Sequence, residues 1–144
     1  MRSVLLPVDG SRHAFEAALY VIGFARTHGA PAVHVVTVEP APAAWQTHGM
    51  ESEEIQSLLS ARAHSAMKPV VNALNEAGIA HRTYVKLGDP AETIAALAEE
   101  LGCDTIVMGT RGIGGLAALA LGSVTRKVLH LATVPVVCVK ASGD

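Results

Sequence analysis

The chain has 144 residues and a mass of 14.9 kDa, the size of one domain that can bury a core without disulfide or metal staples. Half of it is hydrophobic and only 3% aromatic, so an aliphatic core is expected, and a formal net charge of -2 argues against a general nucleic-acid binder, which would be basic. The longest apolar run, Ile113 to Leu121, falls short of the roughly 18 residues of a membrane span, and Val4-Leu5-Leu6-Pro7-Val8 is too short for a signal-peptide core, so a cytoplasmic protein without membrane contact is expected.

Ser3 to Val8 is apolar without alternation, as a central parallel strand covered on both faces would be, and Pro7 should end its regular pairing because it cannot donate. Asp9-Gly10-Ser11 reads as a turn with Ser11 as N-cap of a first helix, whose apolar face is Phe15, Ala18, Leu19, Ile22 and Ala25 and whose stop is Gly29. Val33 to Val38 is a second β-branched strand. Glu39 to Met50 lacks periodicity, carries two prolines and Trp45, and reads as a loop of about twelve residues that could close over a ligand. Helical spacing returns from Glu51 to Gly78, and Pro69 should kink that stretch or divide it. Ala80 to Leu87 alternates in a way that suggests an edge strand.

Asp89-Pro90-Ala91-Glu92 is a helix start with Asp as N-cap, Pro at the first helical position and Glu at the third. Ile94, Leu97, Ala98 and Leu101 supply its buried stripe and Gly102 its end. Thr105–Met108 is a fourth strand. Ser123 is expected to cap a last helix carrying Val124, Val128 and Leu131, and Val134–Val139 a fifth strand, apolar on both faces. The resulting β-α-β-α-β-α-β-α-β order implies an α/β fold, a doubly wound parallel sheet with helices on both faces, in a single domain spanning residues 1–144. In neighbouring parallel strands Cys103 and Cys138 would lie about 15 Å apart at ~3.3 Å per residue, too far for a disulfide, and neither has the spacing of a redox or metal motif.

Between strand four and the last helix lie four glycines in seven residues, Gly109, Gly112, Gly114 and Gly115. A glycine-rich turn between strand and helix uncovers main-chain N–H groups and lets a ligand approach them. No acidic residue occurs between Asp104 and Asp144, while Arg111, Arg126, Lys127 and Lys140 do, so the field favours an anion such as phosphate. Ligands of such sheets bind at the carboxyl ends of the strands where the order reverses, and the Asp9-Gly10-Ser11 turn falls at a carboxyl end as well. A P-loop is excluded, because no lysine lies from Gly109 to Ser123. Gly112-Ile113-Gly114-Gly115-Leu116-Ala117 fits a loose dinucleotide fingerprint, but it lies in the last βαβ unit and lacks the acidic residue about 20 positions on. The seven histidines show no i,i+4 or His-x-His pairing, which argues against a histidine metal site.

The spacing that is met is G-x2-G-x9-G-[ST], by Gly109, Gly112, Gly122 and Ser123. With the opening Val-Leu-Leu-Pro-Val-Asp-Gly-Ser, Gly88-Asp89-Pro90, the strand Asp104 to Gly109, and Val134-Pro135-Val136-Val137, the chain resembles the ATP-binding branch of the universal stress protein family over nearly its whole length. The resemblance implies a five-stranded sheet of order 3-2-1-4-5 and a homodimer formed through strand five. It also implies a site residue by residue. Asp9, beside Pro7 and Val8, contacts the nucleoside or supports a Mg2+ ion, and Val38 offers its main chain to adenine. Met108 and Gly109 form the ribose region, while Gly112, Gly122, Ser123, Val124 and Thr125 take the phosphates. Arg111 is a further candidate for a phosphate contact. The implied function is a nucleotide-dependent stress-response regulator that binds ATP with Mg2+. A slow ATPase or nucleotide-dependent transferase, a nucleotide-free dimerising adaptor, and preference for AMP or a cyclic nucleotide remain as alternatives.

Overall fold

A computed structural model describes residues 1–43, 48–111 and 121–141. Trp45, most of the glycine run including Gly112, and the last three residues lie outside them. The elements are β1 (Ser3–Pro7), α1 (Arg12–His28), β2 (Ala32–Glu39), α2 (Ser52–Glu76), β3 (His81–Leu87), α3 (Pro90–Glu100), β4 (Thr105–Gly109), α4 (Ser123–Leu131) and β5 (Val136–Val139). The five strands form one all-parallel sheet in the order β3-β2-β1-β4-β5. The expected fold class and strand order are therefore present, and β3 is an edge, as its alternation suggested.

The core has two halves, one on each face of the sheet. Val4, Leu6, Val33, Val35 and Val107 face α1 and α2. Leu5, Val36, Ile106 and Met108 face the other way, toward α3 and Val128 of α4. Leu5 and Leu6 are both fully buried, which is why β1 shows no alternation in sequence. Each such side chain contributes about 1.5–3 kcal/mol of burial.

Four local expectations change. The buried face of α1 is Ala14, Ala17, Ala18, Val21 and Ile22, while Leu19 is 40% exposed. The small residues face the sheet because α1 approaches β4 closely, as the contact at Gly109 described below requires. Pro69 does not divide α2, which runs unbroken over 25 residues. Pro69 is exposed, and buried Met67 and Val70 on either side hold the helix to the sheet. The N-cap of α4 is Gly122 and not Ser123, which is the first helical residue. The fifth strand starts at Val136 rather than Val134, and all four of its residues are only half-buried, as an edge strand's would be. By contrast, the start of α3 is as expected, with the Asp89 carboxylate accepting from Glu92 N–H at 2.9 Å.

Cys103 and Cys138 are both free. Cys138 lies level with Met108, five residues past Cys103, so about 16 Å separates them at the ~3.3 Å rise of a strand. Burial pushes both thiols up from the ordinary cysteine range, which disfavours the thiolate, the reactive form.

Candidate functional site

The strand order reverses between β1 and β4, since β2 and β3 lie on one side of β1 and β4 and β5 on the other. The sequence opens the sheet at this point. Alternate residues of a parallel strand direct their main-chain groups to opposite neighbours. Arg2 and Val8 bond to β2, through Ala32 N–H to Arg2 O and Val8 N–H to Val36 O, both 2.8 Å, whereas Ser3 O accepts from Asp104 N–H on the β4 side. Pro7 falls in the set with Ser3, so its missing N–H is one that would have faced β4. The β1–β2 register accordingly runs from Ser3 to Pro7, but the β1–β4 register covers only Val4↔Thr105 and Leu5↔Ile106. Pairing stops on the side of the reversal and continues on the other.

Extending these registers sets Asp9 level with Val38 and with Thr110. Pro7, Val8, Asp9, Val38, Met108 and Gly109 are thereby gathered at the carboxyl ends of three adjacent strands. Pro7, Val8, Met108 and Gly109 are buried, Val38 is half-buried and Asp9 is exposed. The Asp9 carboxylate accepts from Ser11 N–H at 3.0 Å, which closes the turn, and Gly10 takes φ +85 there under Ala66 of α2. The carbonyl of Val8 is satisfied by the buried hydroxyl of Thr37 at 2.8 Å.

The start of α4 is fastened to the end of β4 by two hydrogen bonds. Gly122 N–H donates to Thr110 O at 2.8 Å, and Thr125 Oγ1 donates to Gly109 O at 2.9 Å. The first bond within α4 is Arg126 N–H to Gly122 O, so the N–H groups of Ser123, Val124 and Thr125 have no partner inside the helix. These three donors, with the positive end of the helix dipole, stand at the carboxyl end of β4 beside the unpaired stretch of β1. The Thr125 side chain is buried and occupied by Gly109, so what Thr125 retains for a ligand is its N–H. Arg111 is half-buried and follows directly from Thr110, and Gly112 lies outside the described residues.

Gly109 has a structural duty that spacing alone did not indicate. A Cβ built on it would stand 2.6 Å from His13 Cβ and 2.7 Å from the His13 carbonyl carbon, closer than real side chains come. The first motif glycine thus lets α1 pack against β4. Two further residues around the site, Thr37 and Glu39, were missed by sequence reasoning, and the contact of His13 with Gly109 was not foreseen. Thr37 and Glu39 were detectable in principle, as polar residues in step with Val33 and Val35 on a buried strand face. Glu39 ends β2 with a nearly covered carboxylate, 3.5 Å from the Arg62 guanidinium of α2. Among the described residues no group of three or more histidine, cysteine, aspartate or glutamate side chains is arranged to hold a metal ion.

Comparison with known proteins places these features in a family context. The family described as "Universal stress protein family" matches residues 1–140. Universal stress protein MJ0531 of Methanocaldococcus jannaschii is 36% identical over 146 residues, covering 96% of this chain and 82% of that protein. The solved structure of MJ0577, from the same organism, superposes with a TM-score of 0.84 at 29% identity, covering 99% of this chain and 98% of that one. The universal stress protein of Archaeoglobus fulgidus in complex with dAMP gives a TM-score of 0.66 at 25% identity, covering 97% of this chain and 98% of that one.

Proposed function

The chain belongs to the universal stress protein family, and on that footing we propose that residues 1–144 are one nucleotide-binding domain that takes an adenine nucleotide, ATP with Mg2+, and acts as a nucleotide-dependent stress-response regulator. The observation that carries this reading is the double fastening of α4 to Gly109 and Thr110. It holds three unspent N–H donors at the place where the β1–β4 ladder has been opened by Pro7. Such a cradle suits a phosphate chain, and the dAMP complex of the Archaeoglobus fulgidus relative supports an adenine nucleotide over other anions.

In this reading Val38 faces the base, Met108 and Gly109 the ribose, and Ser123, Val124 and Thr125 the phosphates, with Gly112, Gly122 and Arg111 lining the same end. Asp9 fits a Mg2+ ion in the way that ion is commonly held, by one carboxylate plus phosphate oxygens and water. Its exposed position and the lack of any group of three or more metal-ligating side chains among the described residues suit an ion that arrives with the nucleotide. The metal would neutralise phosphate charge.

A homodimer through β5 belongs to the same proposal. Val136–Val139 is a half-buried apolar edge, and such an edge is commonly covered by another strand. Among the described residues no helix is long and apolar enough to cross a membrane. Native mass spectrometry of the purified protein tests both parts together. The expected species is a dimer carrying one adenine nucleotide per chain; a monomer that takes up no added ATP would refute the proposal.

A further inference from the structure

His13 lies at the start of α1, is only 8% exposed, and joins pieces of the site that are distant in sequence. Its Nδ1 stands 3.2 Å from the main-chain nitrogen of Ala141, two residues beyond β5, and 3.4 Å from Thr110 Oγ1. A main-chain N–H can only donate, so Nδ1 is the acceptor and the ring hydrogen of the neutral imidazole sits on Nε2. The main chain of the same residue is the surface against which Gly109 is pressed. Thr110 in turn donates its N–H to Val139 O and accepts from Gly122 N–H. One imidazole therefore links the helix that begins at the Asp9 turn, the end of β4 from which α4 hangs, and the chain leaving the edge strand.

We propose that His13 is a positioning residue of the nucleotide site, its acceptor nitrogen tying Ala141 to Thr110 and so fixing the point from which the phosphate-binding end of α4 is suspended. The role deepens the nucleotide reading and rests on it. Packing alone does not account for the residue. Ala141 is 2% exposed, and an apolar side chain in place of His13 would leave its buried N–H without this acceptor. It follows that a disturbance at the end of β5 is transmitted to the phosphate end of the site through one ring.

The test compares His13→Leu, which fills the space without an acceptor, with His13→Asn, whose side-chain oxygen falls near the Nδ1 position. Amide hydrogen exchange at Thr110 and Ala141 and calorimetric titration with Mg-ATP are the readouts. In His13→Leu, exchange at Ala141 should accelerate and ATP affinity fall by about tenfold each, the worth of one hydrogen bond. His13→Asn should restore both to within about twofold. Where His13→Leu does not fold, His13→Gln, whose amide reaches the Nε2 position instead, takes its place and should behave as the deficient variant. Unaltered affinity in His13→Leu, or an equal loss in His13→Asn, overturns the role. If the wild type binds no ATP, the nucleotide reading and the positioning of its site both fail, while the Ala141 tie is judged separately by exchange, faster in His13→Leu if it exists and unchanged if it does not.

Discussion

The hydroxyl of Thr125 donates to the carbonyl of Gly109 across 2.9 Å, with both residues buried, and thereby sets the angle at which α4 leaves the sheet. Replacing Thr125 with valine keeps the shape and leaves a buried carbonyl unsatisfied, which costs about 1–3 kcal/mol. Urea denaturation should give that loss for Thr125→Val and a much smaller one for Thr125→Ser. Nucleotide affinity should follow the same order, because the three donors of α4 hang from this bond. Equal stability of Thr125→Val and wild type would show that the bond is not maintained in solution.

Gly109→Ala should fail for a different reason. The added methyl would meet the main chain of His13 at 2.7–2.9 Å, and backbone cannot rotate away as a side-chain tip can. Overpacking of this kind costs typically 1–3 kcal/mol. The melting temperature should therefore fall in the absence of any nucleotide, which distinguishes this glycine from one that serves only a ligand.

Asp89 gives the acid side of the stability profile. Its carboxyl is held below the ordinary range first by the Glu92 N–H it accepts and then by the Lys127 ammonium, 3.1 Å away. Asp104 is held down by Arg2 N–H and the Thr105 hydroxyl. A depressed folded-state value means stability that is present in full above the unfolded value, roughly 3.9, and lost as pH falls through the folded one. Melting temperature should thus decline with acidification starting near that value, and the slope should be shallower in an Asp89→Asn, Asp104→Asn double variant. An acid limb unchanged in the double variant would assign it to other carboxylates. Lys127 is shifted upward by the same partner, so its share persists through neutral pH and disappears only in strong alkali.

Much of this architecture was legible because it is local chemistry. The cap of α3 needs only Asp89, Pro90 and Glu92 in order, and the character of β1 needs only a run of apolar residues. What local chemistry cannot supply is rotation and contact. The apolar face of α1 was expected to include Leu19, but Gly109 and the small residues Ala14 and Ala17 turn the helix so that Leu19 faces outward. Pro69 predicts a break when taken alone, and the packing of Met67 and Val70 overrides it. The motif glycines were picked out by spacing and Asp9 by its turn at a strand's carboxyl end, whereas the bonds of His13 to Thr110 and Ala141 span 97 and 128 residues and leave no periodic trace.

The proposed dimer has a test that spares the ladder inside the sheet. On β5 the main-chain oxygens of Pro135 and Val139 face β4, so Cys138 directs its N–H outward. Cys138→Pro removes a donor that a partner strand would need while leaving the β4 pairing in place. Light scattering should then report a monomer with a native circular dichroism spectrum. A dimer of unchanged stability would mean that β5 is not the contact.

The central claim is that ATP phosphates lie against the main chain at the start of α4, and calorimetric titration of the wild type beside Gly122→Ala tests it most directly. Gly122 has φ -63, a value that any residue adopts, so the added methyl introduces no positive-φ strain. The expected result is one Mg-ATP per wild-type chain and affinity lowered at least about tenfold in a variant that stays folded, with only the small loss of melting temperature that a poorer N-cap brings. Equal affinity in the two proteins, or no binding to the wild type, would contradict it.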